Sequence, residues 1–345
     1  MSWAEKQAAV QKHFRMQSVV CRRLGSPFTS TLLARIAATL DDHRALADRL
    51  YNWPGDVDDD AVALRVAAAC HALSLSGTIP ALHELPDDAL NNEIAAVLDN
   101  HRDFILHTIN HPPQTNEVAR AAVLTPGFLA LAGIVQQPLA LYEIGASAGL
   151  NQYWHHWRYD FGGAGWGDPN AAIALAPDWS GAAPPLGDVA LGTIQGADIR
   201  PIDICDADEQ NRLCSYIWPD QTARLHRLKT AIDHARRHPP TIARQDAGAW
   251  LDAVLPNRKA NCCAVVFHSV VWQYLPKASQ ARCLAAMQSN ASPSSPIAWL
   301  RMEPEPQRKH CELKLDLWPH GQSWHLADAH FHGQWVRWYG LDRHG

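Results

Sequence analysis

The segment Pro138-Leu-Ala-Leu-Tyr-Glu-Ile-Gly-Ala-Ser-Ala-Gly-Leu-Asn151 decides the fold class of this 345-residue chain. Its first half is a short apolar run between a proline and a glycine, which is typical of a buried parallel strand. Gly145, Ser147 and Gly149 follow as a turn of small residues, and residues 147–161 carry apolar side chains at helical spacing. The segment therefore predicts a strand, a tight turn and a helix, the unit from which parallel α/β sheets are built.

Strand and helix signals alternate after this segment. Further strands are predicted at 191–199, 241–244, 262–268, 296–302, 312–317 and 334–339. Residues 312–317 alternate strictly between polar and apolar, which indicates a half-exposed antiparallel strand. Residues 162–192 are rich in Gly, Pro, Ala and Asp and are predicted to form an irregular insertion. We expect residues 136–345 to form an α/β domain with a Rossmann-like, doubly wound, mostly parallel sheet.

The N-terminal part of the chain has a helical sequence pattern. Acidic residues that can cap a helix precede apolar periodic runs at 61–73 and 90–109, and no alternating strand pattern interrupts them. Residues 1–135 are therefore predicted to form an all-helical domain. Beside an α/β domain, such helices would serve as a cap or lid.

Composition and charge exclude several classes of protein. Hydrophobic residues make up 47% of the chain and charged residues 19%, which argues against disorder, and a net charge of −5 provides no overall basic field for nucleic acid. The most apolar stretch, 124–144, is interrupted by Pro126, Gln136 and Pro138, which argues against a membrane span. No signal peptide is visible, and the eight cysteines contain no C-x-x-C pair. We expect a cytoplasmic protein with reduced thiols and no nucleic-acid or membrane partner.

Two functions can be weighed from the glycine turn alone. A dinucleotide site would need G-x-G-x-x-G, but Ser147 and Leu150 occupy the second and third glycine positions. A serine hydrolase would use the G-x-S-x-G pattern with Ser147 as nucleophile, Asp246 as orienting acid and His330 as base. That fold needs several strands before the nucleophile, whereas the chain before Pro138 has helical patterns.

A third function comes from a resemblance. Glu143-x-Gly145-x-Ser147-x-Gly149 resembles the first motif of class I methyltransferases, acidic-x-G-x-G-x-G, with serine at the middle glycine. Three later stretches, 196–201 (Gly-Ala-Asp-Ile-Arg-Pro), 245–247 (Gln-Asp-Ala) and 265–272, resemble the ends of the second, third and fourth strands of that family. The resemblance implies S-adenosylmethionine as cofactor and a small molecule as methyl acceptor.

The same resemblance implies roles for particular residues. Asp198 would accept hydrogen bonds from the ribose hydroxyls and Asp246 would face the adenine amino group, since both follow adjacent parallel strands. His268 is the candidate base for the acceptor. The cofactor would contact Glu143, Gly145, Ala146, Ser147, Gly149, Asp198, Asp246, Ala247 and Phe267, and the substrate would contact Ser269, Trp272, Asn116 and Arg120. Asp246 could equally cap a helix, and His268 could be a packed core residue.

The chain is also similar, over nearly its whole length, to a bacterial family known as domain of unknown function 2332, which is grouped with Rossmann-like methyltransferases. The similar stretches include 115–120, 145–151, 218–220 and 332–335. A non-catalytic scaffold or ligand sensor with this fold stays an alternative, because a fold does not establish an activity. Asp328, His330 and His332 share period-two spacing near His325, but without paired cysteines we expect no metal. The sequence does not indicate an oligomeric state.

Overall fold

The computed structural model of the protein describes residues 2–307 and 309–342. Contacts between residues divide the chain into two compact units. The first comprises the chain up to residue 115 together with 206–229, and the second comprises 116–205 together with the chain from 230 onward. This division differs from the expected boundary at 135, because residues 116–135 belong to the second unit and a later segment returns to the first.

The helices are α1 (Trp3–Arg23), α2 (Pro27–Thr39), α3 (Arg44–Tyr51), α4 (Val62–Leu75), α5 (Asp87–Asn100), α6 (Arg102–Thr108), α7 (Ala121–Val135), α8 (Ala207–Ser215), α9 (Thr222–Ala235), α10 (Ala247–Val254) and α11 (Lys277–Asn290). The strands are β1 (Leu139–Ile144), β2 (Arg158–Phe161), β3 (Ala164–Trp166), β4 (Ala174–Leu175), β5 (Asp178–Ser180), β6 (Leu191–Asp198), β7 (Ile242–Arg244), β8 (Cys263–Ser269), β9 (Ile297–Pro304), β10 (Cys311–Trp318), β11 (Gln322–Ala329) and β12 (Trp335–Trp338).

The first unit is helical, as the capping signals predict. Ser2 and Glu5 form a capping box at the start of α1, and buried Val10 and Phe14 of that helix lie in the same hydrophobic core as Leu33 of α2. The returning segment is held to this unit by the carboxylate of Asp220. That carboxylate accepts from the Ser26 hydroxyl (2.5 Å) and from the backbone N–H of Phe28 (2.9 Å) at the start of α2.

The second unit is mixed α/β and contains a nine-stranded sheet in the order β5-β12-β11-β10-β9-β8-β1-β6-β7. The pairs among β7, β6, β1, β8 and β9 are all parallel, whereas β9 to β12 pair antiparallel. Strand order reverses at β1, which lies between β6 and β8, so the chain winds outward from β1 in both directions. The coarse prediction of a large, mostly parallel sheet with helices is confirmed.

Helices pack on both faces of this sheet. Tyr142 of β1 and Val266 of β8 share a hydrophobic core with Trp250 of α10 and Met287 of α11. On the other face, a side chain at Gly127 of α7 would come within 2.7 Å of Leu300 and 3.4 Å of Leu313, so this helix lies close against β9 and β10. The six residues of β1 are all buried, which explains its unbroken apolar sequence.

Two predicted elements differ from the structure. Residues 147–161 form a 3-10 helix (Leu150–His156) and the strand β2 instead of an α-helix. Trp154 and Trp157 are fully buried, and Trp154 stacks on Phe128 at 4.7 Å, so tertiary packing decides this segment. The stretch predicted as an irregular insertion contributes β3 and β4 to a three-stranded sheet with β2, and its β5 forms the edge of the large sheet. The sequence also gives no prediction of a strand at the position of β11.

One helical stretch, Val118–Val135, is long and apolar enough to cross a membrane, with mean hydropathy 1.8. Of this stretch, 72% is buried inside the protein. Burial of that extent is typical of a core helix, and α7 has this position beside β9 and β10.

Candidate functional site

The candidate site begins at the turn that follows β1. Gly145, Ser147 and Gly149 all have positive φ angles, of 64°, 54° and 68°. A Cβ on Gly145 would lie 2.2 Å from Cγ2 of Val271, so glycine is required here by close packing as well as by conformation. This turn follows β1, the strand at which strand order reverses. Open parallel sheets bind ligands at such points.

Asp198 stands at the end of β6 and holds this turn. Its Oδ2 accepts from the backbone N–H of Ser147 at 2.8 Å, and its Oδ1 accepts from the N–H of Arg200 at 2.8 Å. Each carboxylate oxygen has a second lone pair, and the side chain is half-buried. Asp198 therefore keeps acceptor capacity for a ligand hydroxyl after fixing the turn.

Glu143, near the end of β1, is almost fully buried, with 3% of its surface exposed. Burial raises the pKa of Glu143 to about 8, assisted by the nearby charge of Asp198 and opposed by the neighbouring side-chain amide of Gln152. Its Oε2 has no hydrogen-bond partner within residues 2–307 and 309–342. A carboxyl group in this state is protonated at neutral pH and has an oxygen available for a ligand.

Three more buried polar atoms near the turn lack partners in the described part of the chain. They are Oγ of Ser147, Oδ1 of Asn151 and Nε2 of Gln152. Buried polar atoms are nearly always hydrogen-bonded, so a group of four such atoms within residues 143–152 needs an explanation. Both hydrogen-bond donors and acceptors are present, which fits a polar ligand with hydroxyl and amino groups.

The segment before α7 closes one side of the site. Asn116 accepts a hydrogen bond from the backbone N–H of Leu150 at 2.8 Å. The guanidinium of Arg120 donates to the backbone oxygen of Phe331 at 3.0 Å and to that of Ser269 at 3.2 Å. The structure thus brings Asn116, Arg120 and Ser269, three residues named for the substrate, to the ends of β1 and β8.

His268 is placed differently from a general base. It is fully buried, its Nε2 accepts from the indole N–H of Trp299 at 2.9 Å, and its Nδ1 lies 2.6 Å from Oε1 of Glu303. Because an indole N–H can only donate, the proton of the neutral ring is on Nδ1 and is donated to Glu303. Both ring nitrogens are occupied, so His268 has no free lone pair with which to take a proton from a substrate.

Glu303 is a residue that the sequence analysis missed. Its Oε1 also accepts from the backbone N–H groups of Val271 (2.9 Å) and Trp272 (3.2 Å). Burial alone would raise the pKa of Glu303, but the hydrogen bonds from His268 and from these two amides hold it below its ordinary value. Glu303 and His268 together fix the 270–272 turn that packs against Gly145. Glu303 lies one residue beyond the predicted end of the fifth strand.

Four other predicted site residues face the protein core or cap a helix. Asp246 caps α10 by accepting from the N–H of Ala249 at 3.0 Å, and its other oxygen accepts from the hydroxyl of Ser279. Ala247 is buried in the core beside α11, and Phe267 is fully buried edge-to-face with Phe128. Trp272 stacks on His268 at 5.4 Å. These contacts match the structural alternatives for Asp246 and His268, while Phe267 lies opposite Glu143 on the neighbouring strand β8. Ala146, by contrast, donates its backbone N–H to Ala197 within the site.

The geometry does not favour a serine hydrolase. Oγ of Ser147 has no hydrogen-bond partner among the described residues, whereas a nucleophilic serine is activated by a base within hydrogen-bond reach. Asp246, the predicted orienting acid, is engaged with α10 and Ser279.

Comparison with known families adds to this geometry. A family model described as an uncharacterized protein conserved in bacteria (DUF2332) matches residues 11–338. The chain belongs to this family. No curated protein and no solved structure matches the chain. In this DUF2332 protein, the turn at 145–149 and the side chains around it form the candidate site.

Proposed function

We propose that this DUF2332 protein is an S-adenosylmethionine-dependent methyltransferase that acts on a small molecule, built on a Rossmann-like fold of the class I methyltransferase type. One observation carries the proposal: Glu143 and Ser147 have buried polar atoms without partners beside the carboxylate of Asp198, at the reversal of strand order. The five parallel strands support it, because in chain order they lie 3-2-1-4-5, the order of doubly wound nucleotide-binding sheets.

The available side chains suit an adenosyl ligand. Asp198 would accept from ribose hydroxyls through its remaining lone pairs. Glu143, Asn151 and Gln152 would bind the polar remainder through the atoms that have no partner among the described residues. Asp246 and Ala247 stay assigned to the adenine only through the resemblance, since the Asp246 side chain is engaged in capping α10.

S-Adenosylmethionine supplies a methyl group on a leaving group that is already activated by its positive charge. The protein then has to align the acceptor with that methyl group and exclude water. Arg120, Asn116 and Ser269 would fix the substrate side of the site. Because both nitrogens of His268 are engaged, we assign it a positioning role on the 270–272 turn, and the acceptor would have to be nucleophilic without a proton transfer to His268. The proposal includes a cytoplasmic location without a nucleic-acid or membrane partner.

Calorimetric titration of the full chain with S-adenosylmethionine and S-adenosylhomocysteine tests the proposal. Wild-type protein should bind both ligands, and Asp198→Asn should weaken binding at least tenfold, since a charge-assisted hydrogen bond contributes about 1.5–3 kcal/mol. Asp188→Asn, a change of the same chemistry at an exposed loop residue, should bind like the wild type. Thermal melting of each variant checks that the fold is kept.

The outcomes separate the alternatives. If the wild type binds neither ligand at millimolar concentration, the methyltransferase proposal is wrong. Binding without methyl transfer to any of a panel of small nucleophiles would support a ligand sensor. Labelling of the wild type by a fluorophosphonate serine probe, lost in Ser147→Ala, would support the hydrolase.

A further inference from the structure

A second group of ionisable side chains lies on the antiparallel half of the sheet in the second unit. Glu312 of β10 and His325 and Asp328 of β11 each direct one ligand atom into a common space, with these atoms within 4.8 Å of one another. His310, next to the start of β10, adds its Nε2 at 3.4 Å from Oδ1 of Asp328. This group of four, called here the β10–β11 cluster, is separate from the turn at 145–149.

A β-bulge creates the cluster. Leu313 pairs with Ala327, but the next residue, Lys314, pairs with His325, so Leu326 is an extra residue in β11. Side chains three apart on a regular strand point to opposite faces, whereas the bulge turns His325 and Asp328 toward the same face. Glu312 is directly opposite Asp328 and completes that face.

Two largely buried carboxylates, Glu312 and Asp328, lie side by side here, and Lys314 is paired with Glu312 from the outside. Glu312 and Asp328 face each other directly on paired strands, and Glu303 faces Glu312 from the other side. The side chains of Glu312 and Asp328 are only 15% and 9% exposed. Like charges directly opposite one another destabilise a sheet, and burial increases the cost. A divalent cation between the two carboxylates would neutralise both.

The outer contacts of the two carboxylates turn their inner oxygens toward His325, where Oδ1 of Asp328 accepts a hydrogen bond from Nε2 of that histidine. The hydroxyl of Tyr339 donates to Oδ2 of Asp328 at 2.7 Å, and Nζ of Lys314 lies 2.6 Å from Oε2 of Glu312. The opposite oxygens, Oδ1 and Oε1, lie 2.8 Å and 4.0 Å from Nε2 of His325. Neighbours that hold the outer atom of each ligand in this way are typical of metal sites, where they orient the ligands.

The fourth member of the cluster has an atom without a partner. Nε2 of His310 is buried and has no hydrogen-bond partner among the described residues, although Oδ1 of Asp328 is near. Three donor pairs of the cluster are 2.8, 3.4 and 4.0 Å apart, and within the cluster His310 is close to Asp328 alone. Donors of a tetrahedral zinc ion lie about 3.3 Å apart, so the four side chains would have to shift by several tenths of an ångström or more to bind the ion. Two imidazole nitrogens and two carboxylate oxygens are ligands that zinc accepts.

From these observations we propose that the β10–β11 cluster is a zinc site formed by His310, Glu312, His325 and Asp328. The ion would join the start of β10 to the end of β11. It would replace the hydrogen bond between His325 and Asp328 with two metal bonds, and the proton on Nε2 of His325 would leave to solvent on binding.

The site is tested on the full chain, stripped of metal with a chelator, by competition for Zn²⁺ with a chromophoric chelator. We expect one zinc ion per chain in the wild type. Asp328→Asn and His310→Ala should each weaken zinc binding at least tenfold, and Tyr339→Phe, which removes only an outer hydrogen bond, should weaken it severalfold. His320→Ala, a change at an exposed histidine in the turn between β10 and β11, is the matched control and should bind like the wild type.

Circular dichroism of the metal-free variants shows whether each is folded, and Tyr339→Phe keeps the test valid if a ligand variant is not. The proposal is overturned if the wild type takes no zinc from the chelator. It is equally overturned if the ligand variants and Tyr339→Phe all bind zinc with the same affinity as His320→Ala.

Discussion

Replacement of the buried Glu143 by glutamine should make the protein more stable, by an amount that grows with pH. The pKa of Glu143 rises from 4.5 to about 8 because the carboxyl group is buried. The folded state therefore holds a proton that the unfolded state releases above pH 4.5. The stability that depends on this proton is complete below pH 4.5 and is lost as pH rises toward 8. Glutamine has the same shape as the protonated acid and carries no such dependence.

The magnitude follows from the two pKa values. Each pH unit between them contributes about 1.4 kcal/mol, so Glu143→Gln should leave stability unchanged near pH 4.5 and add about 2 kcal/mol at pH 6. Above pH 8 the gain should approach about 5 kcal/mol, an upper bound that local relaxation and water entry would reduce.

Urea unfolding of both proteins between pH 4.5 and 8.5, followed by tryptophan fluorescence, measures this difference. Glu84→Gln serves as the control, because the Glu84 side chain is 75% exposed and its replacement should leave the pH profile parallel to that of the wild type. If Glu143→Gln also gives a profile parallel to the wild type, the carboxyl group is ionised in the folded protein, and our description of Glu143 as a buried neutral acid is wrong.

Two further substitutions test the packing of each unit. Gly145→Ala should lower the free energy of unfolding by urea by about 2–4 kcal/mol, because φ is positive and the new Cβ would meet Val271. Gly163→Ala is the control: φ is also positive there but nothing lies within 4 Å of the new Cβ, so the loss should be only about 1 kcal/mol. Equal losses of stability in the two variants would contradict the packing explanation. Ser26→Ala should lower the free energy of unfolding by about 1–2 kcal/mol, since it removes the cap of α2 and one hydrogen-bond partner of Asp220. Thr31→Ala, at an exposed hydroxyl of the same helix, should change the free energy of unfolding much less.

The parallel strands were predictable because their sequences are short, apolar and bounded by turn residues. The strands predicted at 191–199, 241–244, 262–268 and 296–302 correspond to β6, β7, β8 and β9 within a few residues, and the alternation at 312–317 identified β10 as antiparallel. In each of these strands the order of apolar and polar residues follows directly from which side chains are buried, so the strand can be recognised without knowing its distant contacts.

The grouping of residues around the 145–149 turn could be expected from the sequence for the same reason. Glu143 and Asp198 lie near the carboxyl ends of the paired strands β1 and β6, and Gly145 and Ser147 follow β1 directly, so these residues lie together. By contrast, His268 was predicted as a base, yet its two nitrogens are taken by Trp299 and Glu303, which come more than thirty residues later in the chain. A local pattern cannot report which nitrogen of a histidine is already bonded by a distant strand.

The sequence by itself determined that the second half of the chain is a mostly parallel α/β structure with a small-residue turn after its first strand, because periodicity and glycine placement act within a few residues. Tertiary structure alone decided that 206–229 returns to the helical unit, that residues 150–161 form a 3-10 helix and a strand, and that Glu312 meets Asp328 across paired strands. These features depend on contacts between residues far apart in the chain, and such contacts override local propensity when they bury large side chains or bring charges together.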